Sequence, residues 1–168
     1  MDARKENEPT PMTNRTTVER KSEREMVVTR TFNGPARIVF EAWTRPELFK
    51  RWWAPKSMGM SLRSCDMDVR VGGRYRLEFE GHAMAFIGRY LEVTPPSRLV
   101  WTNEESGGGG SVTTVTFEEK AGKTLLVMHE LYPSKAALDA AGTGAADAMV
   151  ETFAQLDELL VTLGASVG

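Results

Sequence analysis

The 168-residue chain is poor in the residues that most often carry chemistry. It has one cysteine, Cys65, and two histidines, His82 and His129. A lone thiol rules out an intrachain disulfide and a cysteine-based zinc site, and fits a reducing compartment. The histidines are far apart, with no His-x-x-x-His spacing, so no metal-ligand set is legible and no metal or cofactor is expected. Lys and Arg number 21 against 23 Asp and Glu, for a formal charge of −2. A basic surplus for nucleic-acid binding is therefore missing. No apolar run approaches the ~20 residues of a membrane span, and the start of the chain lacks the apolar stretch of a signal peptide. The expectation is a soluble cytoplasmic protein without a nucleic-acid or membrane partner.

Nucleophilic motifs are also absent. There is no Gly-x-Ser-x-Gly, and Cys65 falls in a predicted strand with no base legible beside it. The glycine run Gly107–Gly110 lacks a Lys-Ser/Thr sequel and a following helix, so it reads as a hairpin tip rather than a phosphate loop. No catalytic residue is assigned.

With 41% apolar residues, the chain can bury one sizeable core. Residues 1–23 are polar and aperiodic, with Pro9 and Pro11, and read as a disordered or loosely docked arm; Met12 is an alternative start. A single domain is expected over 24–164. Met26 to Phe32 is rich in β-branched residues and ends at Asn33-Gly34, which predicts a first strand. Pro35 suits the first turn of a short helix over 35–44, and Pro46 starts a second that Pro55 ends. Strands are predicted over 61–70, 73–80, 83–94, 98–104, 111–119 and 123–132. Their short connections imply an antiparallel meander. Met149, Phe153, Leu156, Leu160 and Leu163 then recur at helical spacing, predicting a C-terminal helix of about 20 residues that ends near Gly164. It should lie across the concave face of the sheet, the one large apolar surface able to receive it.

Alternation sends Tyr75, Leu77 and Phe79 inward, and Arg74, Arg76, Glu78 and Glu80 outward. The strand 123–132 is apolar on both sides, leaving Leu126 with Met128 or Leu125 with Val127 as the inner pair. Trp43, Trp52 and Trp53 crowd one short segment. Of the adjacent pair Trp52 and Trp53, pointing about 100° apart on a helix, one is expected in the core and the other against a cavity. A long helix on a curved sheet leaves space at mid-length unless bulky side chains fill it. Met84, Met128, Met149 and Phe153 are placed to plug that space or to line it, and methionines suit either role. Polar groups able to orient a ligand there are few: Tyr75, Tyr90, Tyr132, and one of His129 and Glu130. His82 is expected in a solvated turn.

Several segments together resemble a known family. They are Pro-Glu-Leu-x-x-Arg-Trp-Trp-x-Pro at 46–55, Asp68-x-Arg70-x-Gly72-Gly73-x-Tyr75, Gly88-x-Tyr90-x-Glu92-Val93-x-Pro95-Pro96-x-Arg98-Leu99-Val100, and Gln155-Leu156-Asp157-Glu158-Leu159-Leu160. The chain resembles the branch named after the C-terminal domain of the activator of the heat-shock-protein-90 ATPase, within the START and birch-pollen-allergen (SRPBCC) superfamily. The resemblance covers about 24–163. It implies an α+β helix-grip fold: a curved antiparallel sheet wrapped around a long C-terminal helix, with two short helices after the first strand. It also implies a small hydrophobic or aromatic ligand between sheet and helix, and by register places Glu130 inside.

The leading expectation is accordingly a ligand-binding protein whose space is lined by Trp53, Tyr75, Phe79, Tyr90, Trp101, Met128, Glu130, Met149 and Phe153. The second is a chaperone-associated interaction module, and the third a cofactor-free cyclase, aromatase or hydrolase using one buried carboxylate or tyrosine. Asp68, Arg70 and Gly72-Gly73 read as a turn with a surface ion pair. A monomer or a homodimer fits equally.

Overall fold

The computed structural model describes residues 16–59, 62–81, 85–104 and 110–164, except for the side chains of Met58 and of 141–146. His82, Met84, Met12 and most of the glycine run lie outside the described residues. Strands β1 (Thr17–Arg20) and β2 (Glu25–Asn33) lead into helices α1 (Ala36–Thr44) and α2 (Pro46–Phe49). Six strands follow: β3 (Leu62–Met67), β4 (Arg74–Phe79), β5 (Ala85–Thr94), β6 (Arg98–Thr102), β7 (Val112–Lys120) and β8 (Lys123–Leu131). Helix α3 (Lys135–Thr162) closes the chain. The strands form one antiparallel sheet in the order β1-β2-β8-β7-β6-β5-β4-β3. The six-stranded meander is thus extended by β2 against its last strand. The sheet curves around α3 in the helix-grip arrangement.

Three elements differ from the sequence expectation. Thr17–Arg20, inside the polar arm, form an edge strand, with Thr17 opposite Thr29 and Arg20 opposite Met26. Val18 is its one apolar residue, so no alternation marks it. Helix α2 stops at Phe49 rather than reaching Pro55. There, Ala54 adopts a left-handed backbone (φ 79°), and the carbonyls of Trp52 and Ala54 accept from Gln155 Nε2 at 2.9 Å instead of continuing a helix. Helix α3 runs for 28 residues rather than about 20. Its extra turns are rich in alanine, a strong helix former without an apolar stripe to read, and Ser134 caps them by accepting from the Ala137 N–H at 3.1 Å.

Facing side chains in the sheet line up in rows on the concave side. Val28, Met128, Val115 and Leu99 are successive cross-strand partners and all are buried, which settles the inner pair of β8 as Leu126 and Met128. The next row runs Met26, Glu130, Thr113, Trp101, Tyr90. Tyr75, Leu77 and Phe79 are buried as the alternation requires. Gly88 is demanded by close packing, because a Cβ there would lie 1.9 Å from the Thr102 carbonyl oxygen and 2.7 Å from the Tyr75 ring. At the β3–β4 turn Gly72 takes φ 84°, and the neighbouring Asp68–Arg70 ion pair (2.9 Å) is solvent-exposed. Gly73 there has no room for a side chain, since a Cβ would overlap the Asp68 carbonyl.

Candidate functional site

Trp43, Phe49, Trp52 and Trp53 pack into one aromatic block between α1, α2 and the concave face. Trp43 and Trp52 meet edge-to-face at 4.9 Å, and Trp53 stacks on Phe49 at 5.0 Å. Trp52 is fully buried and its indole N–H donates to the Ala42 carbonyl at 2.9 Å, so it is a core residue. Trp53 is only half-buried and turns toward open space. Phe153 is fully buried against Phe32 (5.6 Å) and Trp43 (6.1 Å) and belongs to the same core.

Two cavities flank this block. The larger, about 300 Å³ and partly open to solvent, lies between the sheet and α3. Its sheet side is made by Met26, Val28, Phe79, Phe86 and Met128, its helix side by Ala148, Met149 and Thr152, and its third wall by Trp53, Ala54 and Pro55. At one end the apolar lining gives way to Glu130 and Tyr132. The smaller, about 40 Å³, lies at the β5–β6 end of the same row, bounded by Tyr75, Tyr90, Trp101, Met67 and Asn103. It has room only for water-sized occupants. Trp53 and Phe86 border both cavities and so stand between them.

The polar end is tightly wired. Tyr132 donates its hydroxyl to Glu130 Oε1 at 2.8 Å, and Thr113 donates to Glu130 Oε2 at 3.4 Å. Thr113, fully buried, accepts in turn from Asn103 Nδ2 at 3.0 Å, and Asn103 Oδ1 accepts from the Tyr75 hydroxyl at 3.2 Å. Burial and the adjacent Glu130 carboxylate both push the Tyr132 phenol well above its ordinary value. His129 points the other way, its Nε2 lying 2.8 Å from Glu25 Oε2 on the far face of the sheet.

Of the nine residues singled out in the sequence, Trp53, Phe79, Met128, Glu130 and Met149 border the larger cavity, while Tyr75, Tyr90 and Trp101 border the smaller. Phe153 is not among the lining of either. The reading missed Met26, Val28, Ala54, Pro55, Ala148 and Thr152. One signal for the helix side was present: between Lys135 and Ala148, α3 has a single large apolar residue, Leu138.

Cys65 has a thiol pushed up to about 11, chiefly by burial and also by Asp66, so it is protonated at neutral pH. Among the described residues no three His, Cys, Asp or Glu side chains are grouped to hold a metal ion. Among the same residues no helix is long and apolar enough to cross a membrane.

The profile of the family described as activator of Hsp90 ATPase homolog 1-like protein matches residues 33–161. The chain belongs to this family. Solved structures with the same fold include a Rhodobacter sphaeroides protein, 25% identical, with a TM-score of 0.80 over 88% of this chain and 99% of that one. A Staphylococcus epidermidis protein is 27% identical, with a TM-score of 0.70 over 87% and 94% of the two chains. A Nitrosomonas europaea protein, 24% identical and with a TM-score of 0.78 over 86% and 99%, shares the fold. No curated protein matches the chain. This member of the Hsp90 ATPase activator homolog 1-like family has its matched region across both short helices, the meander and nearly all of α3. The cavity walls from Trp53 to Thr152 therefore lie inside it.

Proposed function

We propose that this protein binds a small hydrophobic or aromatic molecule in the larger cavity, between the curved sheet and α3. The observation that carries the reading is the cavity itself: about 300 Å³, lined mostly by apolar side chains, with Glu130 and Tyr132 together on the strand side and Thr152 on the helix side as its few polar ones. That volume is at the lower end of the range that small-molecule sites occupy, and an apolar lining with a few placed polar groups is their usual make-up. Trp53, Phe79, Met128 and Met149 supply the apolar contact, the two methionines adapting to ligand shape. Phe153 braces the aromatic block behind the cavity and acts on binding only through folding. Tyr75, Tyr90 and Trp101 hold the neighbouring wall.

The test is a thermal-shift and calorimetric screen of the full chain against flavonoids, sterols, fatty acids and two-ring aromatics. A ligand at a hundredfold excess over Kd stabilises the native state by about 2.7 kcal/mol. That raises Tm by roughly 5–11 °C for a domain of this size. The shift should vanish in Ala148→Phe, which puts a ring into the cavity from the helix side, while that variant stays folded. The absence of any shift across the panel would overturn the reading and favour the chaperone-associated interaction module instead.

A further inference from the structure

Trp53 and Phe86 are the two side chains that border both cavities, and they are held very differently. Trp53 stacks on Phe49 at 5.0 Å and meets Trp52 and Trp43 at 5.5 and 6.0 Å, so its indole is fixed by the rings of the aromatic block. Phe86 comes from the sheet. It is the cross-strand partner of the buried Leu77, which puts its ring on the concave face near the start of β5. It is half-buried, and among the described residues its ring contact is one edge-to-face meeting with Phe79 at 5.2 Å. The partition between the cavities is therefore one rigid indole and one phenyl ring with space on either flank. Next on the same face of β5 come Gly88, which has no side chain, and then Tyr90, which borders the smaller cavity. Phe86 is thus the one bulky group that this strand places between the two spaces.

We propose that Phe86 is the specificity-determining residue for ligand length: with its ring in place the larger cavity takes compact two-ring aromatic molecules and turns away linear ones that carry a further ring. This rests on the ligand-binding reading above and adds to it the size and shape of the ligand. The physical ground is packing. Burial of apolar surface favours binding in proportion to area, so an added ring tightens binding wherever there is room for it. Where there is none, pressing a ring against the partition is overpacking, which forces side chains off their rotamers and outweighs the added area. The smaller cavity, at about 40 Å³, has no room for a ring while Phe86 stands. Truncating Phe86 vacates the volume of its ring and joins the smaller cavity to the larger past Trp53. Steric exclusion of this kind discriminates against the competitor rather than adding contact to the favoured ligand.

The experiment measures affinities of the full chain for 2-naphthol and 2-anthrol, by probe fluorescence at neutral pH, in the wild type and in Phe86→Ala and Phe86→Leu. The two probes are neutral, carry one hydroxyl group each and differ by one fused ring, so length alone separates them. Expected is a preference for naphthol of about tenfold or more in the wild type, the scale on which an apolar pocket discriminates by size. Phe86→Ala should reverse that preference, binding anthrol at least about tenfold more tightly than the wild type does. Phe86→Leu, which opens less space and disturbs the fold less, should gain anthrol affinity in smaller measure. Equal binding of the two probes by the wild type, or tighter binding of anthrol, overturns the length limit while leaving the cavity reading intact. So does a folded Phe86→Ala that gains no affinity for anthrol, since the limit would then lie elsewhere in the cavity. Failure of both probes to bind the wild type overturns the cavity reading and this inference with it. The wild-type ratio and Phe86→Leu decide the matter even where Phe86→Ala folds poorly.

Discussion

Phe153 and Met149 sit one turn apart on α3, and truncating each to alanine separates a packed core from a cavity wall. Phe153 is wholly buried, with aromatic neighbours Phe32, Trp43 and Trp52 at 5.6, 6.1 and 6.5 Å. Removing its ring forfeits the transfer free energy of the side chain and leaves a void among rigid indoles that have little freedom to collapse. Phe→Ala in such settings costs about 3–5 kcal/mol. Met149 is half-buried and one side already borders the open space of the cavity. Fewer packing contacts are there to lose, so Met149→Ala should cost about 1 kcal/mol. At roughly 2–4 °C per kcal/mol, the expected falls in Tm are about 6–20 °C for Phe153→Ala and only a few degrees for Met149→Ala. Urea denaturation checks the same difference as a shift in midpoint at unchanged slope. Any ligand found in the screen should discriminate in the opposite sense, losing affinity in Met149→Ala more than in Phe153→Ala once the latter is measured well below its Tm. Equal destabilisation by the two substitutions would mean that Met149 is packed on all sides in solution, and the cavity argument would fail.

Gln155 fastens the third cavity wall to α3: its Nε2 donates to the Trp52 and Ala54 carbonyls, and its Oε1 accepts from the Lys56 N–H, all at 2.9 Å. Gln155→Ala should cost about 2 kcal/mol at 0.5–1.5 per net hydrogen bond, and should speed hydrogen exchange at Lys56 with little change in β7 and β8. Glu78 is held down to about 2 by hydrogen bonds from Arg76, Arg63 and Ser64. A depressed carboxylate adds stability that is complete above its unfolded value of about 4.3 and disappears as pH falls through about 2. Acid titration of Tm should therefore be shallower in Glu78→Gln between those limits. The Cys65 thiol, raised to about 11, should react with a disulfide reagent at pH 8 much more slowly than a free cysteine, and at the free-thiol rate once the chain is unfolded.

The fold was legible where one period dominated. Strict alternation in Tyr75–Phe79, the Asn33-Gly34 stop and the step of three and four from Met149 to Leu160 each point to one element and one face, whereas Leu163, expected on that same face, follows the last helical residue and is exposed. Legibility failed where side chains carry no contrast. Thr17–Arg20 has one apolar residue and owes its strand to the β2 edge that receives it. On β8 both faces are apolar, because the outer one is not fully solvated: Leu125 and Val127 remain half-buried. Phe153 looked like a cavity residue because it shares a helical face with Met149. The structure separates them through Trp43 and Trp52, which arrive from α1 and the turn after α2 to fill the space in front of Phe153. That is a tertiary event with no periodic trace.

The place of the cavity follows from a gradient along α3. From Phe153 onward the helix presents Phe153, Leu156, Leu159 and Leu160 to the sheet, all buried, and the aromatic block completes the packing. From Lys135 to Ala148 it offers Leu138 and otherwise mostly alanine and glycine. Where α3 faces the sheet with Ala148 and the half-buried Met149, packing is incomplete and the larger cavity lies there. The space opens over the cross-strand partners Met26 and Glu130, of which Glu130 carries the carboxyl group. The same rows that build the sheet therefore put one carboxylate, wired by Thr113 and Tyr132, at the margin of an otherwise apolar hollow. An unneeded carboxylate in that position would cost desolvation that a leucine avoids. Hydrogen bonds from the Thr113 and Tyr132 hydroxyls offset part of that cost.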